Sequence, residues 1–515
     1  MPTEGQINVG GLDTSKTENH PALRKMVGMV FQNPADQIVA STVEEDVAFG
    51  LENLNLPAEE IHKRVRKQLA DAELLGEAKR PPHLLSGGQI QRLALAGVLA
   101  RQPDVILFDE PTSMLDPLTR KAFLERICKL NRDGMTVIYI TQHMEEAFLA
   151  EEVVILNEGK LISTGKPEKI FKESSLLYEI GLDIPEAAKF AQLFRELGWS
   201  IPENIYTPGA LLNALPNYQS EKTSENISPP IERSKSAIIT VENVYYTYLE
   251  GTPLAKDALI GADLEVEKGV IQGLAGTNGS GKSTLLQHLN GILRPKKGNV
   301  QVEDLDVGNP QTPLIDIVKK VGLVFQNPET QFFEVFVGDE IAFGPKQFGM
   351  DNIRERVKQA MAVVGLDFEA FKDRRLENLS GGEKRKVALA STLILDQDIL
   401  LFDEPTAGMD PESREELLSL FSQLQEKGKT ILIASHRLDE IAKITDDLSI
   451  MKSGKVLKTA PTRKMLFDDE MIKEAGLCPP LIVSILQILE EKGWPINHFQ
   501  SLEIERLLLF LKELI

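Results

Sequence analysis

Four phrases of this 515-residue chain occur twice at one fixed displacement. Phe31-Gln32-Asn33-Pro34 returns as Phe325-Gln326-Asn327-Pro328, and Ala48-Phe49-Gly50 returns as Ala342-Phe343-Gly344. Leu85-Ser86-Gly87-Gly88 returns as Leu379-Ser380-Gly381-Gly382, and Leu107-Phe108-Asp109-Glu110-Pro111-Thr112 as Leu401-Phe402-Asp403-Glu404-Pro405-Thr406. Each pair is 294 positions apart. His143 and His436 pair at 293, and the two tryptophans, Trp199 and Trp494, at 295, each behind a glycine. A period this long is a duplicated domain, since solenoid units run at about 20–50 residues. The chain must therefore build one architecture twice.

The second copy carries a phosphate-binding pattern, G-x-x-x-x-G-K-[ST]. It runs Gly276, Thr277, Asn278, Gly279, Ser280, Gly281, Lys282, Ser283, Thr284. Glycines let backbone N–H groups converge on phosphate oxygens, and Lys282 adds a point charge. Ser283 is placed to ligand Mg²⁺. Apolar Val270, Ile271 and Leu274 precede the loop and a helical run, Leu285 to Leu289, follows it. That is the strand–loop–helix context the pattern requires, with the helix N-terminus facing the anion.

Each repeat alternates strands and helices, which predicts a mostly parallel sheet covered on both faces, the α/β class. Asp398 to Phe402 reads as a short buried strand that delivers Asp403 and Glu404 at its carboxyl edge, where ligands sit in such sheets. Asp403 is placed to hold Mg²⁺ and Glu404 to activate an attacking water. Thr430 to Ala434 reads as another strand, ending in Ser435 and His436. Val321 to Phe325 is a third, closed by Gln326. The same residue types recur in the first repeat as Gln32, Asp109, Glu110 and His143. Ser86 and Ser380 read as N-caps whose glycines leave backbone donors open, a second anion-binding element without a lysine.

Composition bounds the setting. Net charge is −20 and there is no basic stripe, which argues against direct nucleic-acid binding. No run of 18 apolar residues spans a membrane, and no apolar signal-peptide core opens the chain. Cys128 and Cys478 are not repeat-equivalent and read as inert thiols. Pro216 to Ser236 is rich in Ser, Pro, Glu, Asn and Lys and reads as a linker. The domain expectation is 1–215, linker 216–236 and 237–515.

Phosphate loop, glutamine loop, Leu-Ser-Gly-Gly, the Asp-Glu strand, Asp410 and a terminal histidine stand in the order of ABC-type ATPases, and nearly the whole chain resembles that family. The phrases VFQNP, EDVAFG and LSGG, and the tails after each core, resemble more narrowly the ATPase subunits of energy-coupling-factor importers. The resemblance implies two tandem P-loop ATPase domains with ATP and Mg²⁺ as cofactors. It implies Glu404, His436 and Gln326 as catalytic residues, and Ser283, Gln326 and Asp403 at the metal. It implies Tyr248, or nearby Tyr246, as the adenine platform. A competent site would join Gly276–Thr284 to Ser86, Gly87, Gly88 and Gln89. Partners would be a transmembrane coupling subunit and a substrate-binding membrane subunit, with the coupling helices received by Asn33–Leu84 and Asn327–Leu379. The chain would sit peripherally on the cytoplasmic side of the cell membrane. A soluble tandem ABC ATPase working on ribosomes would instead show a long charged insertion between its domains.

The first repeat departs from the pattern by having no phosphate loop. Aligning Pro2 with Pro295 and Gly5 with Gly298 maps Lys282 to position −11, before Met1, and about fifty-five residues of the second domain have no partner. The first domain thus reads as truncated at its N-terminus. The start codon is misplaced, the product is degenerate, or the chain is a one-site ATPase. On the first of these, the upstream frame encodes an aromatic-bearing strand and a second phosphate loop. Strands there would cover Val105, Ile106, Leu107 and Val137 to Ile140, whose exposure would otherwise promote aggregation.

Overall fold

The computed structural model describes residues 4–113, 115–218, 236–252, 254–407, 409, 411–496, 499 and 501–514. Asp410 and most of the expected linker, 219–235, lie outside them. The chain divides into two compact units, Met1–Ser174 and Ser175–Ile515.

The second unit is built on a six-stranded sheet. Its spatial order is Val321–Val324, Ile399–Asp403, Thr430–Ser435, Ile271–Ala275, Asp447–Lys452 and Lys455–Pro461. The first five strands are parallel and the last is antiparallel. Ile399–Asp403, Thr430–Ser435 and Ile271–Ala275 are buried at every position. This is why they read as unbroken apolar runs: a parallel strand has both faces covered. Alternate side chains go to different layers. Leu400, Phe402, Ile431 and Ile433 pack with helices on one side. Ile399, Leu401, Leu432 and Ala434 pack on the other with Leu285, Leu286 and Leu289 of the helix Lys282–Leu289. That second layer also includes Val241, Val244, Leu264 and Val266 from an antiparallel sheet of Ala237–Tyr248, Lys256–Glu267, Lys297–Val302 and Leu305–Asp306.

Residues that follow the first Asp-Glu domain also belong to this unit. Helix Glu186–Glu196 and the turn after it bring Phe194 and Trp199 into a stack at 4.8 Å. Trp199 meets Trp494 at 5.0 Å, and Tyr218 meets Trp494 at 4.9 Å. Trp494 Nε1 donates to the Pro216 carbonyl at 2.9 Å. The repeated Gly-Trp pair is thus a contact of one repeat tail with the other, and the first residues of the expected linker are part of it.

The first unit holds a three-stranded parallel sheet, Val27–Val30, Val105–Asp109 and Thr136–Ile140. Val30, Ile106 and Phe108 pack on one side against Leu95, Val98 and Phe123. Among the described residues, no strand pairs with the outer edge of Thr136–Ile140, and Val153–Asn157 pairs only with Lys160–Gly165. In the second unit that edge is filled by Ile271–Ala275. Exposure follows from the pleat. Ile106 stays buried, whereas Ile138 and Ile140 are 51% and 53% exposed. The expectation that strands absent here would be needed to cover Ile106 is therefore corrected, because one face of its strand has its own helices.

Candidate active site

The carboxyl ends of neighbouring parallel strands place the site. Ala275 runs into the phosphate loop, Asp403 ends its strand with Glu404 beside it, and Ser435 ends another before His436. Gln326 follows the edge strand Val321–Val324. Open α/β sheets bind ligands at this edge. The loop needs its glycines. Gly281 has φ 109°, and a Cβ there would lie 2.6 Å from the Ala258 carbonyl oxygen. The helix then begins at Lys282 with Gly281 as its N-cap, leaving the first backbone donors facing the loop.

Lys282 is buried, and its Nζ donates to the carbonyls of Gly276 at 2.8 Å and Thr277 at 3.2 Å. It lies 3.4 Å from Glu404 Oε1. His436 Nδ1 is 2.9 Å from the same oxygen. Burial pushes the Glu404 carboxyl up, but the His436 hydrogen bond and the charges of His436 and Lys282 outweigh it and hold Glu404 below the usual range. A carboxylate kept ionised at the strand end is a base ready to take a proton. Its backbone is in the left-handed region, φ 48°, and Glu110 has φ 42° at the matching place. Non-glycine residues rarely adopt this conformation, and clusters of it mark functional sites.

Asp403 tests the fit to Mg²⁺. It accepts a hydrogen bond from Ser283, and its Oδ1 is buried with no hydrogen-bond partner. Burial pushes its pKa up to about 6, with the Glu404 charge adding to the rise. A desolvated carboxylate oxygen beside a serine hydroxyl suits Mg²⁺, which takes one or two protein ligands and fills its shell with phosphates and water. Among the described residues no group of three or more His, Cys, Asp or Glu side chains is placed to hold a metal ion. The raised pKa has a sign. Folded Asp403 keeps its proton up to about pH 6, while the unfolded carboxyl loses it near 3.8. The fold therefore loses stability as pH rises through 6. Asp403→Asn should stabilise the nucleotide-free chain at pH 7.5 by up to about 3 kcal/mol, at about 1.4 kcal/mol per pKa unit. The gain should shrink at pH 5, as read by thermal unfolding at the two pH values.

Tyr248 is 37% exposed, with its hydroxyl 3.2 Å from Thr284 Oγ1. Tyr246 instead packs edge-on against His288 at 4.9 Å. Tyr248 thus presents a solvent-facing ring beside the loop, and Tyr246 does not. The Gln326 side chain is exposed, and its carbonyl accepts from Arg385 Nη2 at 3.0 Å. Arg385 also donates to the Glu404 and Pro405 carbonyls. It ties the glutamine loop to the Asp-Glu strand, a role that nothing in the linear pattern marked. The repeat gives no signal for it either, since Gln91 stands at its place.

In the first unit Ser86 caps the helix Gly87–Ala100, and a capping box joins it to Gln89, while Ser380 and Glu383 do the same in the second. Gly87 and Gly88 occupy the first turn. Gln32 Nε2 donates to Glu110 Oε2 at 2.9 Å. The pairing of His143 with His436 is corrected. Strands Thr136–Ile140 and Thr430–Ser435 start in the same register, opposite Val105 and Ile399. Counting from them puts Gln142 at the place of His436 and His143 at that of Arg437. Gln142 hydrogen-bonds Glu110, whereas His143 Nε2 faces Arg120 at 3.4 Å. The helices that follow, Met144–Ala147 and Leu438–Ile441, also correspond at 294, so no one-residue shift is available.

The family model described as ABC transporter matches residues 1–113 and 259–407. Similar proteins include an ABC transporter ATP-binding protein of Caldanaerobacter subterraneus subsp. tengcongensis. It is 34% identical over 506 residues, covering 93% of this chain and 84% of that protein. The energy-coupling factor transporter ATP-binding protein EcfA2 of Clostridium tetani is 38% identical over 263 residues, 50% of this chain and 91% of that one. Among solved structures, cbiO1 of Clostridium perfringens, described as part of the ABC transporter complex cbiONQ, is 32% identical. It has a TM-score of 0.41 and covers 49% of this chain and 100% of that one. With a phosphate loop whose lysine lies beside a buried carboxylate–histidine pair, and a relative matched across 93% of this chain, the chain belongs to the ABC transporter ATP-binding family, whose cassettes bind and hydrolyse ATP.

Proposed function

We propose that this ATPase drives an importer of the energy-coupling-factor type, working peripherally on the cytoplasmic side of the membrane through a transmembrane coupling subunit and a substrate-binding membrane subunit. One observation carries the proposal beyond the family. Between the glutamine loop and the Leu-Ser-Gly-Gly helix, Phe333, Val335 and Phe336 are all exposed, Phe333 at 75%. Three exposed apolar side chains within four residues suit a docking site. It falls in the stretch 327–379, where the resemblance expects coupling helices. No helix among the described residues is long and apolar enough to cross a membrane, so membrane contact would come through partners. Energy-coupling-factor relatives match half of the chain.

The chemistry we propose is in-line attack of water on the γ-phosphate in the second unit. Lys282 and the loop N–H groups of Gly276–Thr284 hold the β- and γ-phosphates, and Tyr248 stacks on the base. Asp403, Ser283 and Gln326 hold Mg²⁺, which neutralises phosphate charge when bound. Glu404 takes the proton of the attacking water, with His436 and Gln326 orienting the reacting groups. Ser86, Gly87, Gly88 and Gln89 supply the second anion-binding element. The G-x-x-x-x-G-K-[ST] loop stands in the second unit, so hydrolysis is assigned there.

Phe333→Glu tests the partner. Burying this ring is worth about 1.5–3 kcal/mol, so recovery with membranes carrying a transmembrane energy-coupling-factor subunit should fall about tenfold or more. ATP turnover without that subunit should not change. Undiminished recovery would remove the importer reading and leave an ABC ATPase.

A further inference from the structure

Two carboxylates, one in each unit, do the same work. Glu340 Oε2 accepts the backbone N–H groups of Phe333 and Glu334, both at 2.9 Å. Asp46 Oδ1 accepts those of Val39 at 2.9 Å and Ala40 at 3.2 Å. All three positions correspond at 294. The side chains differ by one methylene, yet one oxygen takes the same two amides in each unit. Each carboxylate stands on the helix that follows its loop, Val43–Glu52 or Val337–Gln347, and reaches back seven residues.

The surroundings repeat as well. Val337 N–H donates to the Arg374 carbonyl and Gly338 N–H to that of Lys372. Val43 and Glu44 donate to Arg80 and Ala78, again at 294. Both helix starts are therefore pinned, so the carboxylates act from fixed points. Glu340 is buried and Asp46 half-buried. Burial pushes both carboxyls up against the pull of the two N–H groups. A solvated loop needs no such anchor, and desolvating a carboxylate is costly.

What the anchor holds is apolar and outward. The first amide accepted belongs to Val39 in one unit, 64% exposed, and to Phe333 in the other. The Phe333 ring lies on Phe343 of the anchored helix at 5.3 Å and 18°. Ordering a loop residue costs conformational entropy. A loop already ordered spares a binding partner that cost.

We infer that Glu340 and Asp46 are positioning residues, each fixing its loop so that one apolar side chain is presented to a helix of the transmembrane partner. This rests on the importer reading above.

The test uses the full chain and membranes carrying a transmembrane energy-coupling-factor subunit. Glu340→Leu should speed amide hydrogen exchange at Phe333 and Glu334 at least about tenfold. It should lower recovery with those membranes about tenfold, and leave turnover without the subunit within about twofold. Glu340→Asp, which copies the first unit, should restore both exchange protection and recovery. Freed amides with full recovery would overturn the inference, as would unchanged exchange. If the leucine variant does not fold, Glu340→Met, which also lacks an accepting oxygen, takes its place, with the same two readouts and the same results supporting or overturning the inference. Failure of Phe333→Glu to reduce recovery in the same assay would instead defeat the docking reading itself.

Discussion

Glu404→Gln should leave ATP bound and slow its hydrolysis by about 10²- to 10⁴-fold, the range of a positioned general base. The glutamine keeps the volume of the side chain and an acceptor for His436 Nδ1, now 2.9 Å from Glu404 Oε1. It cannot take a proton from water. It also leaves Lys282 without its anionic neighbour at 3.4 Å, so nucleotide affinity should hold or rise. Single-turnover hydrolysis alongside equilibrium binding of labelled ATP separates the two effects. A variant that hydrolyses like the parent would remove Glu404 from the chemistry.

Lys282→Ala should act at the opposite step. Its ammonium is buried and spends its donors on two loop carbonyls. Turned to phosphate oxygens, it would make charge-assisted hydrogen bonds of about 1.5–3 kcal/mol each. Losing two of them weakens ATP binding at least about 100-fold, at about 1.4 kcal/mol per factor of ten. The Gly276 and Thr277 carbonyls would lose a donor as well, so the loop itself should loosen. Binding measured at magnesium saturation checks this, and unaltered affinity would displace the phosphate site from Gly276–Thr284.

Much of the second unit was legible because its strands are buried on both faces. Ile399–Asp403 and Thr430–Ser435 write their burial as continuous apolar runs, and motifs at strand ends then fall on one edge. Gly276–Thr284, Asp403, Glu404 and His436 were readable this way. Arg385 was not. Its target is backbone carbonyls on two separate loops, and a contact with backbone leaves no mark on the partner's sequence. The histidine pairing failed for a different reason. Residue identity favoured 293, while strand register, a property of hydrogen bonding across the sheet, held at 294 and seated Gln142 beside Glu110. The path of residues 186–218 was also hidden. Gly-Trp pairs at matching places predict two copies of a tail, and only packing shows that Trp199 and Trp494 meet.

Glu404 and Glu110 both stand in left-handed backbone, and this has a consequence for how the gene can change. The turn is pinned from outside: Glu404 N–H donates to the Ala434 carbonyl and Glu110 N–H to the Ile140 carbonyl. Glycine or asparagine would fit that backbone with less strain, and neither would carry the base. Selection for heat resistance and selection for turnover therefore pull this one codon in opposite directions. A lineage released from the need to hydrolyse would be free to drift at this codon first.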